Sequence, residues 1–409
     1  MTDDGKPYDI GMLKEDQKAI VLEVMKTVKE WLEWEDLSTF QPLRITINGP
    51  GGSGKSVVIN TIVSILRTMF GTNDVVRVVA PTGTAAFNVR GETFHHLVGM
   101  KVGGASYAPG SMSGQKRKDL VTKFKTLLAL IVDERSLINS KDLGTTERHI
   151  AETIYEGGHL RDESFGGLPI VILVGDDYQL PGTEEGGLNV LFNRGGSAMV
   201  QRGRAMLREC AGKVMELTGS KRMSDSKQKQ KDLLSRLRLG MDLTEDDIAK
   251  LLSLHLDVIK RVHSPAVVKD IESKAVYLFY TNEKRIRHNL EQLKKHSGPT
   301  TPVALLQMQS QNASGGKGIS GHFGFTDKGP ESSMICIGAK VALQNKNFCP
   351  MWGLHNGACG IVHEIVFEKG KSPNNGDLPA YVVVEFPLYC GPTWDMRNPK
   401  ASERETICI

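Results

Sequence analysis

The order of apolar and polar positions along the chain falls into distinct rhythms. Residues 14–34 place Ile20, Val21, Val24, Met25, Val28, Trp31 and Leu32 at helical spacing, which predicts a helix with one apolar face. Short apolar runs follow at 44–47, 75–80, 127–132, 169–174, 214–217, 275–280 and 340–343. Most are rich in Val, Ile and Leu and do not alternate with polar residues, the pattern of strands covered on both faces of a parallel sheet. Helical stretches lie between them, starting with an apolar helix over 57–70, so the chain is expected to be α/β with crossover helices. The last part reads differently. Residues 360–367 and 381–386 alternate or are β-branched, with Ser372-Pro373-Asn374-Asn375-Gly376 between them, and predict a small antiparallel β module. Residues 103–114, rich in Gly, Ser and Ala, are expected to be a loop, and the charge run Lys227-Gln228-Lys229-Gln230-Lys231 a solvated helix face.

A chain of 409 residues has room for two or three domains with buried cores. A net charge of +4 permits a nucleic-acid partner without requiring one, because a binding groove can be locally basic on a nearly neutral protein. Cys210, Cys336, Cys349, Cys359, Cys390 and Cys408 form no C-x-x-C pair, which suits buried or idle thiols in a reducing compartment better than a disulfide framework or a zinc site. No apolar window is long enough to cross a bilayer, so no membrane partner is expected. The start, Met1-Thr2-Asp3-Asp4, is acidic and resembles neither a secretory signal nor an Arg-rich transit peptide.

Gly49-Pro50-Gly51-Gly52-Ser53-Gly54-Lys55-Ser56 matches the phosphate-loop pattern G-x-x-x-x-G-K-[ST] in full, between a predicted strand and an apolar helix. Glycines let the main chain curl around phosphate oxygens, and exposed N–H groups with the following helix N-terminus add positive potential. Gly49, Gly51, Gly52, Ser53 and Gly54 are therefore expected to cradle the phosphates of ATP. Lys55 is expected to reach the β- and γ-phosphates, and Ser56 to ligate Mg²⁺. The loop alone does not separate a kinase, a GTPase, a transporter ATPase and a helicase.

A second buried strand, Ala129-Leu130-Ile131-Val132, ends in Asp133-Glu134. At the carboxyl edge of a parallel sheet these acids would face the ligand crevice, with Asp133 on Mg²⁺ and Glu134 as general base for the attacking water. Two solvated acids at an exposed strand end are the simpler alternative. A third strand stops at Gly175-Asp176, with Gln179 following. An uncharged amide there can bond the γ-phosphate and lose that contact on hydrolysis, although Gly-Asp also simply closes strands.

Together these segments resemble motifs I, II and III of superfamily-one helicases, and within them the Pif-one family. Residues 13–17 resemble the Q motif, which makes Gln17 the adenine reader. Ala80-Pro81-Thr82-Gly83-Thr84-Ala85-Ala86 and Gly91-Glu92-Thr93-Phe94-His95 resemble the segment that touches single-stranded DNA, placing Thr82, Gly83, Thr93 and His95 on the strand. Gly338-Ala339-Lys340-Val341 with Gly353-Leu354-His355-Asn356-Gly357 resembles the Pif-one signature at the start of its inserted β module. The chain departs from the family at Gly182, where a second Pro is usual, and at Lys221-Arg222-Met223, where Arg-Gln is usual; Arg222 is still expected to be the arginine finger. The family's later motifs do not appear, so the chain is expected to be C-terminally incomplete.

The resemblance implies P-loop NTPase architecture: a first RecA-like domain over 1–212 with a small wedge insertion at about 97–120, a partial second RecA-like domain over 213–350, and a β-rich SH3-like insertion over 351–409. It implies an ATP- and Mg²⁺-dependent 5′–3′ DNA helicase that moves along single-stranded DNA and opens forked duplex, in DNA repair, recombination or telomere maintenance. A monomer is expected, in the nucleus, with mitochondrion and cytoplasm as alternatives. The competing expectations are a truncated module that binds ATP and DNA without unwinding, and a nucleotide kinase. Lys116-Arg117-Lys118 reads equally as a strand-lining patch or as a solvated basic turn.

Overall fold

Leu43–Asn48 is buried at every position, as a strand covered on both faces must be, and forms β1 in the sheet of the first of two units. The computed structural model describes residues 10–34, 39–99, 114–154, 163–179, 195–218, 227–298, 301–307, 325–326, 329–330, 332–343, 348–392 and 406–408. The units are Met1–Asp247 and Ile248–Ile409. In the first, β1 is joined by β2 (Val76–Ala80), β3 (Glu92–Thr93), β4 (Ala129–Val132), β5 (Ile170–Gly175) and β6 (Val214–Glu216). All pairings are parallel, in the order β3-β2-β4-β5-β1-β6. The non-consecutive order requires crossovers, and helices supply them.

α1 (Glu15–Glu33) and α2 (Lys55–Phe70) cover one face of this sheet. Ile20, Val24 and Val28 of α1 pack with Ile59, Ile62 and Leu66 of α2 over Ile45, Ile47, Ile131 and Ile172. After β2, α3 (Gly83–Asn88) turns the chain back to β3. α4 (Phe94–Leu97), α5 (Gly114–Phe124), α6 (Ser140–Thr153) and α7 (Ala198–Ala211) cover the other face. There Leu97, Phe124, Leu143, Ile150 and Met206 meet Leu130, Val132, Val171 and Leu173. Alternate residues of β4 and β5 thus feed opposite cores, which explains runs that are apolar throughout. Each large aliphatic side chain buried this way contributes about 1.5–3 kcal/mol.

α6 and α7 touch main chain to main chain. A Cβ on Gly203 would lie 1.8 Å from Ser140 O, and one on Gly144 would lie 2.0 Å from Met199 O. Only hydrogen fits at either position. Beyond β6 the chain continues as α8 (Gln228–Leu239), and then passes through α9 (Glu245–Ser253) into the second unit. Both β6 and α8 belong to the first unit, beyond residue 212, where the sequence had placed its boundary. The Lys229 side chain is 96% exposed, so the charge run is a solvated helix face.

The second unit opens with α10 (Leu256–Val262), α11 (Pro265–Lys274) and α12 (Asn282–His296). Short antiparallel pairs follow, β7 (Ala304–Gln307) with β10 (Ser332–Ile335) and β8 (Phe325–Thr326) with β9 (Gly329–Pro330). A four-stranded antiparallel sheet then runs β11 (Lys340–Ala342), β12 (Cys359–Val366), β13 (Tyr381–Glu385), β14 (Thr406–Cys408). Its core holds Leu354, Val362, Val382, Val384 and Phe386. The predicted β module is present, with a turn over Pro373–Asn375 that Gly376 ends at φ 74°.

Two strand expectations fail. Residues 340–343 belong to the antiparallel module rather than to a doubly covered parallel sheet. Residues 275–280 form no strand. Tyr277 and Phe279 stack on His288 of α12, with ring centroids 4.2 and 5.1 Å apart, while Val276, Leu278 and Tyr280 on the opposite side are 83%, 92% and 102% exposed. The run is apolar throughout, but all of it is exposed, only Tyr277 and Phe279 make a ring contact, and no ladder forms among the described residues. The predicted loop over 103–114, except Gly114 at the start of α5, and most of the wedge at about 97–120 lie outside the described residues. Lys116-Arg117-Lys118 sits on α5, not in a turn.

Candidate active site

β1 ends at Asn48, the loop of residues 49–54 follows, and α2 starts at Lys55. Gly54 caps α2 with φ 94°, a conformation that favours glycine. A side chain there would also collide with Gln17, whose Nε2 lies 2.1 Å from the position of a Gly54 Cβ. Gln17 is 2% exposed. Its Oε1 accepts from Lys14 N at 3.1 Å, closing the start of α1, and its Nε2 donates to Ser53 O at 3.1 Å inside the loop. The residue expected to read adenine therefore also braces the phosphate loop. Lys55 Nζ donates to Gly49 O at 2.6 Å and to Pro50 O at 3.2 Å, so its ammonium lies over the loop. Ser56 is exposed at the first turn of α2. Gly51 is exposed and Gly52 half-buried in the loop, Gly52 with φ 86°.

β5 lies between β1 and β4, so the carboxyl ends of three neighbouring strands bring the loop, the acid pair and the Gly-Asp turn together. Asp133 follows β4 and is 6% exposed, and its Oδ1 is buried without a hydrogen-bond partner. Burial, with the Glu134 charge beside it, pushes the Asp133 carboxyl up to about 6; the Glu134 N–H and the Lys55 ammonium oppose the shift. A buried carboxylate oxygen with no donor fits a cation better than a structural role. With the Ser56 hydroxyl it offers the hard oxygen ligands that Mg²⁺ takes from a protein that leaves its other positions to phosphate and water. Groups of three or more His, Cys, Asp or Glu side chains able to hold a metal are absent among the described residues. Glu134 is half-buried with φ 51° and ψ 48°, a left-handed conformation that non-glycine residues adopt mostly at special sites.

Asp176, 4% exposed, organises the third segment. Its Oδ1 accepts from Tyr178 N at 3.0 Å and from Arg238 Nη2 at 2.6 Å. Its main-chain carbonyl accepts from Gln179 N at 3.1 Å, and the Gln179 side chain is exposed. Asp177 N donates to Asn48 Oδ1 at 3.0 Å, and Asn48 Nδ2 in turn donates to Glu216 on β6 at 2.9 Å. Arg135 pairs with the Asp177 carboxylate. Asn48, Arg135 and Arg238 carried no signal in the sequence beyond standing near a motif or ending a helix. Arg222, with Leu180, Pro181 and Gly182, lies outside the described residues.

The four residues expected on DNA gather at the edge of the same sheet. β2 and β3 pair Ala80 with Thr93, so residues 82–83 and 93–95 leave the sheet side by side. Thr82 caps α3 by accepting from Ala85 N at 3.2 Å, and Thr93 caps α4 by accepting from His96 N at 3.3 Å. A capping threonine spends an acceptor lone pair and keeps its O–H to donate, so capping and a phosphate contact are compatible. Gly83 opens α3, and His95 is half-buried on α4. Beneath them Glu92 binds His96 Nδ1 at 2.6 Å and Lys123 Nζ at 2.9 Å, which fixes this edge to α5.

Comparison with known proteins places this arrangement. The profile of the PIF1-like helicase family matches residues 12–240. The ATP-dependent DNA helicase RRM3 of Saccharomyces cerevisiae is 31% identical over 214 residues, which cover 51% of this chain and 27% of that protein. The ATP-dependent DNA helicase PIF5 of Trypanosoma brucei is 36% identical over 135 residues, 33% of this chain and 14% of that protein. The matched stretches thus span about a quarter or less of these relatives' length. Among solved structures, Pif1 helicase from Candida albicans superposes with a TM-score of 0.58 at 19% identity, covering 97% of this chain and 78% of that one. Bacteroides Pif1 bound to ssDNA superposes with a TM-score of 0.53 at 19% identity, over 93% of this chain and 73% of that one. At such identity the likeness speaks for the fold. The family match is broader: it covers more than half of the chain and every strand of the first sheet, and this chain belongs to the PIF1-like helicase family.

Proposed function

We propose that this chain is the nucleotide-driven part of a DNA helicase, which hydrolyses Mg-ATP and uses the cycle to move 5′ to 3′ along single-stranded DNA and open duplex at forks. The observation that carries the reading is the partnerless, buried Asp133 Oδ1 just past the end of β4, one strand removed from the strand that leads into the phosphate loop, with Glu134 next to it. Mg²⁺, when bound, would neutralise charge on the phosphates. Ser56 and Asp133 hold it. The amides of Gly49, Gly51, Gly52, Ser53 and Gly54 receive the phosphates, and Lys55 exchanges the carbonyls of Gly49 and Pro50 for β- and γ-phosphate oxygens. Glu134 takes the proton of the attacking water, and Gln179 bonds the terminal phosphate and releases it after cleavage. Arg222 serves as arginine finger. Gln17 reads the adenine with its second amide hydrogen while the first holds Ser53.

Thr82, Gly83, Thr93 and His95 grip the sugar-phosphate backbone without base readout. That the named relatives are DNA helicases, and that one solved relative carries ssDNA, supports a DNA track here. The chain works as a monomer, in DNA repair, recombination or telomere maintenance, in the nucleus or another compartment that holds DNA. No helix among the described residues is long and apolar enough to cross a membrane. One observation favours a second reading, a module that binds ATP and DNA without unwinding: the apolar run 275–280 of the second unit stands without strand pairing among the described residues.

ATP hydrolysis with and without a single-stranded oligonucleotide tests the proposal, with strand displacement on a forked duplex beside it. DNA-stimulated turnover that disappears in Lys55→Ala is expected. Normal hydrolysis by that variant would end the assignment. Turnover without strand displacement would select the second reading.

A further inference from the structure

Arg238 ends α8, 62 residues from Asp176 in sequence, yet its Nη2 donates to Asp176 Oδ1 at 2.6 Å and its guanidinium lies over the Tyr178 ring at 4.5 Å from the centroid. Two independent contacts therefore converge from one side chain on the turn at 176–179. The same Asp176 Oδ1 accepts from Tyr178 N, and Asp176 O accepts from Gln179 N. The Asp176 side chain is 5% exposed, so its charge depends on Arg238 for compensation. Arg236, two residues earlier, points elsewhere on α8: its Nε and Nη2 donate to the two oxygens of Asp247, at 2.7 and 2.8 Å. Asp247 also accepts from Thr244 N at 3.0 Å, at the start of α9. The last turn of α8 is thus bonded at once to the Gly-Asp turn and to the helix through which the chain leaves the first unit.

We propose that Arg238 is a positioning residue, which holds the Asp176–Gln179 turn in the geometry that senses the terminal phosphate and ties the state of that turn to α8. Without Arg238 the buried Asp176 carboxylate loses its counter-charge, the ring of Tyr178 loses its cover, and Gln179 is no longer presented from a fixed turn. With it, a shift of Gln179 on loss of the terminal phosphate is passed to α8 and, through Arg236 and Asp247, to α9. The role rests on the reading of Gln179 as the phosphate sensor, and two measurements keep the two ideas separable.

The first needs no nucleotide chemistry. Hydrogen exchange of the Tyr178 and Gln179 amides is compared in the full chain and in Arg238→Gln, Arg238→Lys and the exposed control Lys229→Gln. Arg238→Gln should raise exchange of these two amides roughly tenfold or more, leave β1 and β5 amides unchanged, and be partly restored in Arg238→Lys, which keeps the charge and loses the planar stack. The second is steady-state ATP hydrolysis with oligonucleotide. Arg238→Gln should lower kcat roughly tenfold or more with KM for ATP within about threefold, and its effect should not add to that of Asp176→Asn. Unchanged exchange at 178 and 179 would overturn the proposal outright. Raised exchange with unchanged kcat, or with an additive double variant, would overturn the positioning role. A wild-type chain that hydrolyses no ATP would instead refute the function proposed above, and the exchange data would still decide whether Arg238 holds the turn.

Discussion

Gln17 Nε2 donates to the main-chain carbonyl of Ser53 across 3.1 Å, and the same side chain closes the start of α1. The first helix is thereby fastened to the phosphate loop. Gln17→Ala removes a buried bond and leaves Ser53 O without its donor, a loss of about 1–3 kcal/mol. Affinity for ATP and ADP should fall about tenfold alike, and the preference for ATP over GTP should shrink. Competition against a fluorescent nucleotide measures both, and unchanged affinity would contradict the brace.

Glu134→Gln keeps the shape of the site and removes the proposed base. Hydrolysis should fall by roughly two to four orders of magnitude, while ATP affinity stays within about threefold. Single-turnover quench experiments beside equilibrium binding separate the two quantities.

Burial raises the Asp133 carboxyl to about 6 from an ordinary 3.8, and the sign of its contribution follows. Between those values the folded chain binds more protons than the unfolded one, so stability falls as pH rises through the window. Above about pH 6 the ionised group costs on the order of 2–3 kcal/mol, and below about pH 4 it costs nothing. Asp133→Asn should therefore raise Tm at pH 7.5 without nucleotide, give no gain near pH 4, and abolish Mg²⁺-dependent hydrolysis. In the unaltered chain Mg-ATP affinity should drop as pH falls below about 6. Thermal melts across pH check the first claim and calorimetry the second.

Gly203→Ala places a methyl group 1.8 Å from Ser140 O in the contact of α6 with α7. Two rigid helices must separate, at a cost of roughly 2 kcal/mol or more despite the better helix propensity of alanine. Thermal unfolding should show a loss of about 4–8 °C. An unchanged Tm would mean that the two helices yield freely.

Much of the first unit was legible because its signals are local. The phosphate loop, the acids after β4 and the Gly-Asp after β5 each sit at the end of an apolar strand, and strand ends of a parallel sheet share one edge. The links that steady this edge were not legible. Arg238 with Asp176, Asn48 with Glu216 and Gln17 with Ser53 are separated by 62, 168 and 36 residues, and no spacing rule connects them. The run at 275–280 misled for the opposite reason. Val, Leu, Phe and Tyr in succession have high strand propensity, but a strand exists only through its neighbour, and the sequence does not say whether a neighbour is there.

Glycine amides, Lys55, Ser56 and Asp133 are proposed to bind Mg-ATP together. Isothermal titration of the purified chain with ATP and Mg²⁺ tests this most directly. A saturable single-site heat that requires Mg²⁺ and is lost in Lys55→Ala is expected. Absence of any heat of association in the unaltered chain would contradict it.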